Sequence, residues 1–287
     1  MQENIAESRQ VNSSNPGVKV DISVVILAKN EEARIEDCIK SVKNWANEII
    51  VVDDESVDDT AAIAKNLGVS VFAKKMEIEG RHRNWAYSKA KNQWVFSLDA
   101  DERPTPELLE EVKEVVASNP KFNAFTVRRR NFIGDYWMRW GGQYPSPQLK
   151  LFRKDKFKWE EVEVHPRAFL EGDCGHLKFD LIHYTYRDWS DFLKKLNNQT
   201  TLEAQKWYKL SLADPKKARY KMNILHALWR SLDRFIRAFI IKRGYRDKFV
   251  GFMSAYFSSL YQIVSFAKYV GLKNNGSKKH IGSNSGL

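Results

Sequence analysis

Val95-Phe96-Ser97-Leu98-Asp99-Ala100-Asp101-Glu102 is an apolar run that ends in a cluster of acids. Its first residues read as a buried strand, and two carboxylates one residue apart at a strand end can both reach one hard cation. Mg²⁺ or Mn²⁺ prefers carboxylate and phosphate oxygens, so Asp99 and Asp101 suit a metal that bridges a diphosphate and neutralises it as it departs. A solvated acidic turn leading into the next helix gives the same pattern, and an isolated Asp-x-Asp does not separate the two.

The surrounding sequence supplies the context. From Val20 to Arg130, short β-branched runs alternate with helical patterns, which implies an α/β fold with crossover helices. The predicted strands are Ile22–Ala28, Glu48–Asp53, Val69–Ala73, Trp94–Asp99 and Ala124–Arg128, followed by Gln148–Phe152. Ile35, Cys38, Ile39 and Val42 are spaced for one helix face, with Asn30 as the expected cap. A second helix is expected from Asp58 or Asp59 to Gly68, and Thr105-Pro106-Glu107 combines cap, first-turn proline and acid for another. This punctuation puts the acidic motifs at strand C-termini, where open α/β sheets bind ligands.

Asp53-Asp54-Glu55-Ser56, with Asp58-Asp59, ends the strand Ile49–Val52. Asp53 is the predicted ligand contact, since an acid at that point accepts hydrogen bonds from a base or ribose. Neither GxGxxG nor GxxxxGK[ST] occurs, so phosphate must be held by a metal and positive side chains instead. Arg81-His82-Arg83-Asn84, opening a helix just before the Asp-x-Asp strand, offers guanidinium groups for that purpose.

Val24-Val25-Ile26-Leu27-Ala28-Lys29-Asn30-Glu31-Glu32, Ile50-Val51-Val52-Asp53-Asp54-Glu55-Ser56-Val57-Asp58-Asp59-Thr60 and Leu98-Asp99-Ala100-Asp101-Glu102 together resemble the family 2 glycosyltransferases. Within them the chain is most similar to bacterial lipopolysaccharide-core β-1,4-glucosyltransferase-like enzymes. That likeness rests on Arg83-Asn84-Trp85-Ala86, Gln148-Leu149-Lys150-Leu151-Phe152-Arg153, Val164-His165 and Leu181-Ile182-His183-Tyr184, over about residues 20 to 200. The resemblance implies a GT-A fold (a Rossmann-like mixed sheet with helices on both faces), a UDP-sugar donor, a divalent cation and inversion at the anomeric carbon. It places Ala28, Asn30, Glu31 and Asp53 at the nucleotide, Arg83 near the diphosphate, and Asp99 and Asp101 at metal and donor.

The relatives commonly read Val-His-Glu where this chain reads Val164-His165-Pro166, and a proline is neither base nor ligand. Inversion requires a carboxylate to take the proton of the attacking hydroxyl. If Trp159–Val164 is a strand, Glu161 and Glu163 share a face, and Glu163 is the preferred base with Glu161 as its alternate. His165 is a candidate nitrogen ligand to the metal, whereas His176 and His183 are read as structural.

Charge divides the chain. Residues 1–193 hold 28 Lys and Arg against 32 Asp and Glu, net −4, whereas residues 194–287 hold 19 against 4, net +15. A basic half calls for an anionic partner, either nucleic acid or an acidic membrane leaflet. Ile224, Leu225, Leu228, Trp229, Leu232, Phe235, Ile236, Phe239 and Ile240 trace one helical stripe, with Arg230, Arg234 and Arg237 beside it, the pattern of an interfacial helix. Phe249–Ala267 carries no charge and is long enough to span a bilayer, but its serines and Gln262 suit a span poorly. Nucleic-acid motifs are missing, so an anionic membrane surface met through residues 216–272 is the expected partner.

Met1–Val18 shows no secretory signal, which predicts a cytoplasmic protein held peripherally on the inner face of the cytoplasmic membrane. Cys38 and Cys174 are far apart and read as reduced thiols. The expected domains are a disordered 1–19, a catalytic domain over 20–188 (nucleotide-sugar half 20–130, acceptor half 131–188), a helical membrane-associating extension over 189–273, and a disordered tail over 274–287. The predicted activity is transfer of a hexose, glucose by the resemblance, from a UDP-sugar to a lipid-linked saccharide such as lipopolysaccharide core or another cell-envelope glycan. The rivals are a silent membrane-binding homologue, which would be expected to have lost Asp99 or Asp101, and a metal-dependent nucleotidyltransferase or phosphohydrolase; a hydrolase would need an acidic nucleophile followed by a phosphate-binding loop, where the first strand ends in Ala28-Lys29-Asn30.

Overall fold

The computed structural model describes residues 19–162, 167–216 and 222–282. In chain order the elements are β1 (Val20–Ala28), α1 (Glu32–Lys43), β2 (Ala46–Asp53), α2 (Thr60–Asn66), β3 (Ser70–Ala73), α3 (Glu79–Ser88), β4 (Trp94–Asp99), β5 (Glu102–Pro104) and α4 (Pro106–Ala117). Then follow β6 (Ala124–Ile133), β7 (Tyr136–Trp137), β8 (Gln148–Arg153), β9 (Phe157–Trp159), β10 (Ala168–Leu170), β11 (Cys174–Tyr186), α5 (Trp189–Ala213), α6 (Ile224–Phe235) and α7 (Lys248–Gly282). A π-helical turn, Ile236–Ile241, and a 3₁₀ turn, Gly244–Asp247, lie between α6 and α7.

Two compact units interleave along the chain instead of following one another. The first holds residues up to Ala100, Leu109–Ala124 and Lys150–Cys174; the second holds Asp101–Leu108, Phe125–Leu149 and the chain from Gly175 onward.

In the first unit the strand order is β3-β2-β1-β4-β8, parallel through β4 and antiparallel at β8. Ile22, Val24, Val25 and Ile26 of β1 and Val51 and Val52 of β2 are fully buried, as expected of parallel strands covered on both faces. Each such side chain contributes about 1.5–3 kcal/mol by leaving water. The α1 face Ile35, Cys38, Ile39 and Val42 is buried as its spacing predicts. Ala28 sits opposite Asp53 and Leu27 opposite Asp99, so the acidic motifs share one edge of the sheet.

Helix starts differ in detail. Thr105 caps α4 by accepting from the Leu108 amide at 3.3 Å. Asn30 does not cap α1: Glu31 is the cap position, without a side-chain hydrogen bond. Asn30 lies at φ 54°, a left-handed conformation that asparagine tolerates, and its side-chain oxygen accepts from the Val57 amide at 2.9 Å. The predicted strand Trp159–Val164 ends at Trp159, because β9 is a short pair with β10. Glu161 is therefore outside a strand, and Glu163 and His165 lie outside the described residues. Neither Cys38 nor Cys174 forms a disulfide.

In the second unit the order is β6-β11-β5, with β7 paired to β6. The short, charged β5 carries no hydrophobic run that the sequence could announce; it pairs with β11 in a register that sets His183 opposite Glu102. Asp188 and Asn223 cap α5 and α6 by accepting from the Asp191 and His226 amides. One cluster packs Ile133, Met138 and Phe192, and another packs Ala204, Met222 and Tyr269 where α5 meets α7. α7 runs on to Gly282, so helix occupies the start of the stretch expected to be an irregular tail from Asn274. Gly244–Asn275 is the one helix among the described residues long and apolar enough to cross a membrane.

Candidate active site

In the first unit the β1–α1 and β2–α2 connections are latched together. The Asn30 amide donates to Ser56 Oγ at 2.8 Å, the Glu31 amide to Thr60 Oγ1 at 2.8 Å, and the Glu32 amide to Asp58 Oδ2 at 3.2 Å. This latch holds Asp53 and Asp54 against the end of the sheet, where both are buried. The two acids have different surroundings. Asp54 accepts from Lys29 Nζ at 2.8 Å and from the Met76 amide at 2.7 Å. Burial pushes the Asp54 carboxyl upward, but the Lys29 and Met76 hydrogen bonds outweigh it and hold its pKa below the usual value. Asp53 accepts from the Ser56 amide at 3.0 Å through Oδ2, and its Oδ1 has no hydrogen-bond partner among the described residues. A buried carboxylate oxygen without a donor is costly, and a ligand N–H or O–H satisfies it.

Asp99 ends β4 between two cations: Lys150 Nζ lies 3.0 Å from Oδ2 and Arg83 Nη2 3.4 Å from Oδ1. The antiparallel register of β8, with Phe96 opposite Leu151, brings Lys150 to that place. α3 supplies Arg83, whose Nε also donates to Glu79 at 3.1 Å. Burial works against the Arg83 charge, but Asp99, Tyr87 and Glu79 more than compensate and raise its pKa further above the ordinary value. Next to it, burial lowers the pKa of His82, with Asp54 opposing and Arg83, Lys74 and Lys29 adding to the fall. Glu161 bonds Arg81 at 3.1 Å and Asn84 at 3.5 Å, so its carboxylate is already engaged.

In the second unit Asp101 lies beside β11. The Tyr184 amide donates to the Asp101 carbonyl at 2.9 Å, and His183 Nε2 stands 3.5 Å from Asp101 Oδ2. The imidazole tautomer follows from its other contacts. Asn131 Nδ2 donates to the Gln143 carbonyl at 2.7 Å, which fixes the Asn131 amide with Oδ1 toward His183 Nδ1, 2.7 Å away. The Asn131 oxygen assigns the proton to Nδ1, with Thr185 Oγ1 also 3.0 Å from that nitrogen, and with that tautomer a neutral ring turns the lone pair of Nε2 toward the Asp101 carboxylate. A lone pair facing a carboxylate calls for a cation or a proton between them, and a second-sphere acceptor on the far nitrogen is how metal-ligating histidines are oriented. Among the described residues no group of three or more His, Cys, Asp or Glu could hold a metal. Asp101 and His183 are two residues that could contribute to holding a divalent cation, and any further ligands would have to come from outside this pair.

The glycosyl transferase family 2 model matches residues 23–170, slightly over half of the chain. The chain belongs to glycosyl transferase family 2. Relatives of this transferase include an uncharacterised glycosyltransferase of Rickettsia typhi, 29% identical over 259 residues and covering 86% of each chain. The lipopolysaccharide core biosynthesis glycosyltransferase LpsC of Rhizobium meliloti is 26% identical over 258 residues, covering 87% of this chain and 92% of that one. Among solved structures, glucosyl-3-phosphoglycerate synthase from Mycobacterium tuberculosis, in complex with Mn²⁺, uridine diphosphate and glucosyl-3-phosphoglycerate, matches at 25% identity and TM-score 0.35. That match covers 38% of this chain and 44% of that one, so the chain spans under half of that structure's length.

The fold of this transferase is GT-A: a mixed sheet with helices, followed by a helical C-terminal region. Of the site residues expected from sequence, Ala28, Asn30, Glu31 and Asp53 gather at one sheet edge, and Arg83 meets Asp99. Asn30 and Glu31 serve the latch through their backbone amides. Sequence reasoning assigned no role to Lys150 and read His183 as structural, although both lie in the quoted runs Gln148–Arg153 and Leu181–Tyr184. Their roles depend on strand register, which motif order alone does not disclose.

Proposed function

We propose that this family 2 enzyme transfers a hexosyl group, with inversion, from a UDP-sugar to a saccharide carried on a lipid, such as lipopolysaccharide core. The observation that carries the reading is Asp101 facing a histidine nitrogen whose lone pair is freed by Asn131. Asp53 Oδ1, buried and without a donor, supports recognition of the nucleoside. Mn²⁺ or Mg²⁺, held through Asp101 and His183 with Asp99 nearby in the chain, supplies charge neutralisation of the leaving diphosphate when bound. Arg83 and Lys150 bring positive charge to Asp99 and, by the same chemistry, to the phosphates of the donor. Glu161 is engaged with Arg81, which leaves Glu163 as the proposed base that takes the acceptor's proton.

We place the enzyme at the inner face of the cytoplasmic membrane. The support is the stripe on α6 and its continuation: Leu225 is 75% exposed, Trp229 65%, Ile241 66% and Phe249 67%, among many neighbours of the same kind. α7 also packs along α5 and α6, and those contacts favour a helix lying at the interface over one crossing the bilayer.

The test is release of UDP from a panel of UDP-sugars in the presence of envelope lipid extract, with Mn²⁺, Mg²⁺ or chelator. Turnover that needs the metal and disappears in Asp101→Ala is expected. No nucleotide binding and no turnover with any donor would overturn the reading.

A further inference from the structure

The second unit contains a cavity of about 380 Å³ lined by none of Asp101, Asn131 and His183, although Gln143, which holds Asn131, is part of its wall. Its wall comes from the loop Trp140–Gln143, from α6 with its π-helical turn, and from the first turns of α7. The charge of that wall is unbalanced. Arg230, Arg234, Arg237 and Lys242 line it, against Asp233 and Asp247. Both acids are engaged: Asp233 takes two bonds from Arg237 Nε at 2.7 and 2.8 Å, and Asp247, buried, accepts from the Trp140 amide at 2.8 Å. Arg234 stacks over Tyr261, which leaves its donors for another acceptor. Arg230 and Lys242 form no ion pair among the described residues.

The backbone is shaped for this arrangement. Gly142 lies at φ +84°, a left-handed conformation that favours glycine, and the end of the Lys242 side chain packs beside it, Cδ 2.8 Å and Nζ 2.9 Å from where a Cβ would stand. The arginines on α6 flank the exposed stripe of Leu225, Trp229 and Leu232 on the same helix. A cationic hollow set beside an apolar face has the chemistry of a lipid: a phosphate in the hollow, acyl chains against the stripe.

We propose that this cavity binds the phosphate-bearing headgroup of an anionic lipid and so fixes the enzyme's orientation on the membrane. The proposal rests on the membrane placement given above and names the group that the surface recognises. The phosphate oxygens accept from Arg230, Arg234 and Lys242, with the hydroxyl-bearing wall of α7, Ser254 and Ser258, at the opposite side.

The experiment is co-sedimentation of the full chain with vesicles of phosphatidylcholine alone or mixed with phosphatidic acid. Three double variants are compared with the parent: Arg230→Gln/Lys242→Gln in the cavity, Lys194→Gln/Lys206→Gln on α5 as a control of equal charge, and Leu225→Ser/Trp229→Ser on the stripe. The cavity variant is expected to lose at least about tenfold in partitioning to phosphatidic acid vesicles while keeping its weaker binding to phosphatidylcholine. The α5 control is expected to lose much less, and inorganic phosphate in solution is expected not to displace the parent. Equal losses for the cavity variant and the α5 control would overturn the cavity proposal and leave membrane binding intact. Displacement by inorganic phosphate would also overturn it, by assigning the site to a free anion. If the parent binds neither vesicle, the membrane placement itself fails.

Discussion

His183 and Asp101 carry the least replaceable geometry of the site, and Asn131 holds them in it. Asn131 accepts from His183 Nδ1 at 2.7 Å and is itself held by the Gln143 carbonyl, so its role runs through the imidazole and it acts as a positioning residue. Asn131→Ala is expected to lower metal affinity or activity about 10–100-fold, the usual effect of losing the partner of a ligating histidine. A Mn²⁺ titration of UDP release reads this as a shift in the metal requirement, with overall folding unchanged by circular dichroism. At His82 the prediction concerns pH. Its folded pKa is lowered from 6.5, chiefly by burial. As pH falls below the unfolded value, the unfolded chain takes up a proton that the folded chain refuses. The stability associated with neutral His82 is therefore fully present above that value and is lost as pH falls through the folded pKa. His82→Gln is expected to make the fall in Tm between about pH 7 and about pH 5 shallower. An unchanged slope would remove His82 from the acid response.

At the scale of elements, Lys268 ties α7 to α5. The three N–H donors of its ammonium are shared among four oxygens: the Asn197 carbonyl at 2.6 Å, Asn197 Oδ1 at 2.8 Å, Thr200 Oγ1 at 2.9 Å and Thr201 Oγ1 at 2.7 Å. All are neutral acceptors, and burial lowers the lysine's pKa with no acid to oppose it. Lys268→Met is expected to cost about 1–3 kcal/mol in chemical denaturation, since hydrogen bonds from a charged donor are lost across the helix pair. The sequence exposes some of these elements and conceals others for physical reasons. β1, β2 and β4 are continuous apolar runs because parallel strands are covered on both faces, and their ends put Asp53 and Asp99 where expected. β5 and β9 are three residues each, too short for a hydrophobic period to announce; β5 pairs with the remote β11, and β9 with the nearby β10. Glu161 accordingly lies beyond the end of β9, and Glu163 lies outside the described residues. Asn30 was expected to cap α1, whereas its side chain accepts from Val57, which belongs to another connection that local sequence does not disclose.

Taken whole, the chain separates its charge more sharply than any single element requires. Residues 1–193 carry net −4 and residues 194–287 net +15, with the cationic cavity and the exposed stripe both in the basic part. Two forces would then hold the molecule on the proposed membrane, and they respond to salt differently. Attraction between exposed charges and an anionic surface acts over a Debye length, about 10 Å at 0.1 M ionic strength and about 3 Å at 1 M. Burial of Leu225, Trp229 and Ile241 in lipid is not screened, at about 25 cal/mol per Å² of apolar surface removed from water. Binding to anionic vesicles is accordingly expected to fall steeply as salt rises and then level off at a remainder set by the stripe. Leu225→Ser/Trp229→Ser should abolish the remainder and preserve the salt-sensitive part, measured by vesicle co-sedimentation across a salt series. Binding that does not change with salt would show that the charge asymmetry serves some other partner, and binding that vanishes entirely at high salt would show that the exposed stripe never enters the lipid.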